Sequence, residues 1–180
     1  MDDPGKRKRF GEEVLAHLAA AYNLARWLLR DPSAAEDAVQ EASLRAFRFF
    51  DCMHGASGKA WFMAIVRNAC FDALKDRRRR TVEEVYDEAL HGLAADARSG
   101  LEPPEVALVR AADARALAAC LAELPHEYRE VVVLRELEGL AYKDIAAVVG
   151  VPIGTVMSRL ARGRDLLARR ALDAPQRKRS

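Results

Sequence analysis

The sequence predicts an all-α chain: two small helical domains joined by an acidic linker, the C-terminal one containing a helix-turn-helix. Three observations lead there. Apolar residues recur at helical spacing through residues 14–74 and again through 113–172, and no stretch alternates apolar and polar residues over a useful strand length. Residues 81–112 between them carry seven Asp and Glu against two Lys and Arg, together with Gly92, Gly100, Pro103 and Pro104, which is linker composition. Near the C-terminus a short apolar helix, Tyr142–Val149, stops at Gly150, and after the turn Gly150-Val151-Pro152 a second helix begins near Ile153.

The N-terminal domain is expected over residues 10–80. Val14, Leu15, Leu18, Ala21, Tyr22, Ala25, Leu28 and Leu29 mark one amphipathic helix that ends at Asp31-Pro32. Ser33-Ala34-Ala35-Glu36 has the form of a capping box, with Ser33 as N-cap of a second helix that runs to about Phe50. Residues 51–58, DCMHGASG, read as a loop. A third helix is expected from about Lys59 to Arg78, with Trp61, Phe62, Ile65, Val66, Ala69, Cys70, Ala73 and Leu74 as its apolar members. Three such helices can bury one small core against each other.

The C-terminal domain is expected over residues 113–172. A helix resumes from about Glu105 to Leu124, Pro125 opens the next one over His126 to Leu137, and Gly139 closes it before the helix-turn-helix pair. In the last helix, Val156, Leu160 and Leu167 sit where they face a core, and Thr155, Met157, Ser158, Arg159 and Arg162 project elsewhere. Arg164, Arg169 and Arg170 add to its charge. Arg pairs bidentately with guanine and Ser or Thr bonds bases or phosphate, so a basic second helix suits the major groove of DNA. The plainer reading is a solvated basic face on a core helix.

The net charge of +2 conceals a pattern: residues 1–80 are +4, residues 81–112 are −5 and residues 113–180 are +3. Two basic blocks around an acidic one point to polyanion partners. Arg77-Arg78-Arg79-Arg80 follows a helix carrying Trp61, Phe62, Arg67 and Asn68. Aromatic rings beside arginines can hold unstacked bases, although most aromatics at helical spacing are core. Asp37, Gln40, Glu41 and Leu44 share one helix face at i, i+3, i+4, i+7. Spacing alone favours an ordinary exposed surface there over a docking face for a partner helix.

Several classes find no support. Three cysteines without CxxC spacing (Cys52, Cys70 and Cys120) give neither a disulfide framework nor a zinc finger. His17, His54, His91 and His126 lack ligand spacing, so no metal site is expected. HGASGKA fails as a phosphate loop because Met53 stands where the first Gly is needed and Ala60 follows Lys59. No catalytic constellation or cofactor motif stands out, and the expectation is a protein that is not an enzyme and takes no cofactor. The start MDDPGKRKRF lacks a following apolar stretch, and no run approaches the ~18 apolar residues of a membrane span. A cytoplasmic, reduced protein without membrane insertion is expected.

These residues resemble a known family. SAAEDAVQEASLRAFRFF followed by KAWFMAIVRNACFDALKDRRRR resembles region two of bacterial sigma factors, and LPHEYREVVVLRELEGLAYKDIAAVVGVPIGTVMSRLARGR resembles their region four. The short chain with only an acidic linker between them is similar to the extracytoplasmic-function (ECF) group. The resemblance implies a factor that binds core RNA polymerase, directs it to promoter DNA and assists melting. It implies that Asp37, Gln40, Glu41 and Leu44 dock on the polymerase. It further implies that Asn68, with Trp61, captures an unstacked base of the −10 element while Arg67, Arg77 and Arg78 hold phosphates. Thr155, Met157, Ser158, Arg159 and Arg162 are then the −35 readers. Many relatives are held by an anti-sigma factor, so a partner of that kind is implied too. Two positions depart from the family: Met157 stands where many relatives have Arg or Lys, and Ala141 replaces the usual capping Ser or Thr. Without the resemblance, the helix-turn-helix also fits a self-sufficient transcriptional regulator.

Overall fold

Seven of the eight helices among the described residues follow from the periodicity, and no strand is present among those residues. The structure, a computed structural model, describes residues 4–53, 57–83 and 114–173. The elements are α1 (Pro4–Glu13), a 3-10 turn (Leu15–His17), α2 (Leu18–Leu29), α3 (Pro32–Phe49), α4 (Gly58–Glu83), α5 (114–122), α6 (His126–Val132), α7 (Tyr142–Val149) and α8 (Ile153–Asp173). Most of the expected linker, and the expected start of the helix from Glu105, lie outside the described residues.

The N-terminal half packs α2, α3 and α4 against each other through Ala21, Leu24, Leu28, Ala35, Val39, Ala42, Ala46, Phe62, Met63 and Val66, all buried. Small residues on α3 (Ala35, Ala38, Ala42 and Ala46) let its neighbours approach closely. Three expectations need correction here. The expected single helix over 14–29 is broken: its first turn is 3-10, and a separate α1 precedes it. The charged start folds because Phe10 is buried edge-on against Phe47 and Phe50, at centroid distances of 5.1 and 5.4 Å, while Lys6 pairs with Asp51 at 2.6 Å.

The N-cap of α3 is Asp31, not Ser33. Its Oδ1 accepts from the backbone N–H of Ser33 and Ala34 at 3.0 and 3.2 Å. Pro32, with no N–H to satisfy, takes the first helical position, so the cap falls two residues earlier than the Ser-x-x-Glu pattern indicates.

The 51–58 stretch is not all loop. Phe50–Cys52 is a 3-10 turn and α4 opens at Gly58, with Ser57 Oγ accepting from the Ala60 N–H at 3.1 Å. Residues 54–56 lie outside the described ones. The C-terminal end of α4 continues to Glu83, through arginines that are good helix formers.

In the C-terminal half, α6 passes into a π-helical stretch over Val133–Leu137, where the Glu138 N–H reaches the Val133 carbonyl at 3.0 Å. Gly150 ends α7 in the left-handed conformation (φ 74°), with its N–H bonded to the Ala146 carbonyl at 2.9 Å. Only a residue without Cβ adopts that backbone at no cost. Ala141 gives α7 no side-chain cap. Val156 and Leu160 are buried and Leu167 is partly buried against the same core. Gly163 lets α8 lie directly on α6, since a Cβ there would meet the Val132 Cγ2 at 2.8 Å.

The two halves share one contiguous buried cluster, with α4 against α7 and α2 against α6.

Candidate nucleic-acid interface

The seam between the halves is built from charged groups. Arg67 on α4 lies over the Phe71 ring, 4.5 Å from its centroid, and donates through Nε to the Glu130 carboxylate on α6. Its Nη2 reaches the other carboxylate oxygen at 3.3 Å. Glu130 is only 2% exposed, so a partner is obligatory. His126, one turn earlier, packs edge-on against Phe71 at 5.0 Å, and burial lowers its pKa. Buried Arg129 donates to the carbonyls of Leu121, Ala122 and Leu124 and, across the seam, to Trp27 at 3.3 Å. Burial, then the nearby Arg30 charge, lowers the Arg129 pKa to about 10. Asn23 donates to Glu138 at 2.5 Å and Lys59 to the Glu138 carbonyl at 2.5 Å.

Around this seam the residues singled out in the sequence sit on three surfaces. Asp37, Gln40, Glu41 and Leu44 are all exposed on the outer face of α3, with Leu44 61% exposed. Arg45 links that face to α4 by bonding Glu41 at 2.8 Å and Asp72 at 3.1 Å. On α4, Trp61 and Asn68 are seven residues, or two turns, apart and share a face; Asn68 is exposed and Trp61 partly buried against the core. Arg77 and Arg78 are exposed farther along the same helix. Arg67 is turned about 100° from Asn68, into the seam, and is not grouped with the others. Arg80 has no described side chain.

On α8, Met157, Ser158 and Arg162 are exposed, and Thr155 is partly buried. The Ser158 hydroxyl donates to the Thr155 carbonyl at 3.0 Å. Arg159 leans back toward α6, 3.6 Å from Glu127 and 24% exposed. Arg164 pairs with Glu136 at 2.5 Å and Arg169 with Asp165 at 3.0 Å. With Arg170 3.4 Å from Glu123, four of the five arginines of α8 are therefore paired with acids.

Among the described residues, no group of three His, Cys, Asp or Glu could hold a metal ion. Cys70 is buried, and burial together with Glu130 pushes its thiol up to about 12. No single helix among them is long and apolar enough to cross a membrane.

Sequence reasoning missed the seam residues Glu130, Arg129 and Glu138. A signal was present, because Arg129-Glu130 abuts the apolar run Val131-Val132-Val133-Leu134 and lies inside a core helix, where a charge demands a partner. It also missed Ile153, which is exposed beside Met157.

The chain matches the family Sigma-70 region 2 over residues 14–80 and Sigma-70, region 4 over residues 114–167. It is 32% identical over 178 residues to the ECF RNA polymerase sigma factor SigE of Mycolicibacterium smegmatis, spanning 97% of this chain and 67% of that protein. The chain belongs to the ECF sigma factors. The RNA polymerase sigma-H factor of Pseudomonas aeruginosa is 32% identical over 166 residues, which are 91% of this sigma factor and 86% of that one. A solved structure, the sigma factor RpoE of Bartonella quintana in complex with the anti-sigma factor NepR, superposes with a TM-score of 0.74 at 29% identity. It covers 91% of this chain and 97% of that one. As a sigma factor the protein binds core RNA polymerase and promoter DNA and directs transcription initiation. The region-two match, which a self-sufficient helix-turn-helix regulator has no need of, decides between the two readings of the sequence.

Proposed function

We propose that this ECF sigma factor divides promoter recognition between two exposed helix faces. Thr155, Met157, Ser158, Arg159 and Arg162 on α8 read the −35 element. Trp61 and Asn68 on α4 capture an unstacked base of the −10 element, and Arg77 and Arg78 hold the flanking phosphates. Arg67 joins them only once the α4–α6 seam opens and Glu130 releases it. Asp37, Gln40, Glu41 and Leu44 dock on core polymerase. The factor works in the cytoplasm, performs no chemistry of its own, and is restrained by an anti-sigma factor, as the Bartonella protein is bound by NepR.

The observation that carries this reading is the exposure of Asn68 and Met157 on separate helices of separate halves. Each face alone is small and its affinity weak. Tethering both to one polymerase makes the second contact intramolecular and raises its effective concentration.

Asn68→Ala tests the division. In reconstituted holoenzyme it slows promoter opening, followed by a fluorescent base in the −10 element, while duplex binding before opening stays within about twofold of wild type. Equal losses in both steps contradict base capture by this residue.

A further inference from the structure

The solvent face of α8 carries two parallel rows at i, i+4 spacing. One is apolar: Ile153, Met157 and Ala161. The other is Gly154, Ser158 and Arg162. All six are exposed, with Ile153 at 47% and Met157 at 53%, and the apolar row borders the stripe of Val156 and Leu160 that fills the core. A large exposed apolar pair on the first turns of a helix is a desolvation cost without a return in the free chain. The neighbouring Arg162, exposed and cationic, matches a polyanion, and the major groove of DNA admits a helix.

Within that groove the C5-methyl of thymine is the one apolar group on the edges of the four bases. We infer that Met157, supported by Ile153, reads thymine methyl groups in the −35 element, so that this factor selects upstream elements with a thymine under that row. Met suits the task because its unbranched side chain adapts to a methyl at slightly different depths. Arg162, one row over, supplies the bond to a purine or phosphate that fixes the register. This inference rests on the proposed reading of α8 as the −35 reader.

The test uses holoenzyme assembled from core polymerase and the full chain. A duplex library randomised across both promoter elements is selected by wild-type holoenzyme, and the winning duplex is resynthesised with deoxyuridine for thymine in its upstream element. Removing one contacted methyl is expected to weaken binding about fourfold, the worth of one buried methyl-sized group. Met157→Ala removes that difference between thymine and uracil, and Met157→Leu keeps it. Uracil binding as well as thymine in the wild type overturns methyl reading. If Arg162→Ala then still abolishes selection of the upstream element, the −35 role of α8 survives. If scrambling the whole upstream element changes nothing, both fall. Loss of core polymerase binding by Met157→Ala in the absence of DNA also overturns the inference, by giving the apolar row to a protein partner.

Discussion

The Arg67 guanidinium on α4 and the buried Glu130 carboxylate on α6 form one ion pair across the seam between the two halves of the chain, 63 residues apart in sequence. Glu130 is 2% exposed, and Arg67 is the cation that pairs with it among the described residues. Removing Arg67 strands it, whereas replacing both residues with apolar ones of similar volume does not. Arg67→Ala is expected to destabilise the chain by about 3 kcal/mol, and the pair Arg67→Met with Glu130→Leu to restore most of it. A double-mutant cycle by urea denaturation checks this. Additive losses would show that the two groups do not interact in solution.

His126 sits in the same seam, and its proton balance gives a pH dependence. Burial lowers its pKa below 6.5 and outweighs Glu130, which raises it, while Arg129, Arg67 and Arg159 add to the lowering. The folded state therefore binds fewer protons at this group than the unfolded one. Its stabilising contribution is complete above about pH 6.5 and is lost as pH falls through the folded pKa. The denaturation midpoint should drop on acidification below neutrality, and His126→Gln should flatten that drop. His17 is shifted in the same direction by burial, so part of the slope remains. An unchanged slope in His126→Gln would remove this residue from the seam's proton balance.

Gly150 is the hinge of the helix-turn-helix. At φ 74° with open space around the site, Gly150→Ala meets no neighbour and suffers only the left-handed backbone. A loss of about 1–2 kcal/mol is expected, with the helical circular-dichroism signal retained at low temperature. A neutral substitution would mean the turn relaxes to another conformation.

Asp37→Arg reverses the charge on the outer face of α3. Because Asp37 is exposed, the melting temperature should stay within a degree or two of wild type. Affinity for core polymerase should fall about tenfold, as for a charge reversal in a specific interface. Unchanged retention on immobilised core polymerase would move the docking face elsewhere.

Much of this molecule was legible because its instructions are local. The 3.6-residue period of α3 and α8, the Gly150 stop and the Pro125 start lie within a few residues of the elements they govern. What escaped depends on contacts distant in sequence. The α1 helix is a charged decapeptide whose single buried residue, Phe10, gains its stability from Phe47 and Phe50. The α3 cap was misplaced because Asp31-Pro32 and Ser33…Glu36 are overlapping start signals, and the backbone geometry of Pro32 settles the choice. The faces of α3, α4 and α8 were visible as spacing. Arg67 separated from Asn68 only when its partner in the other half was in view, since no local pattern records a pairing across 63 residues.

Mapping RNA 5′ ends made by holoenzyme on the randomised promoter library bears most directly on the assignment. Starts clustered downstream of two shared sequence elements are expected, with the clustering lost when Asn68→Ala and Arg162→Ala are combined. Starts as scattered as those of core polymerase alone would contradict a promoter-selecting role for this chain.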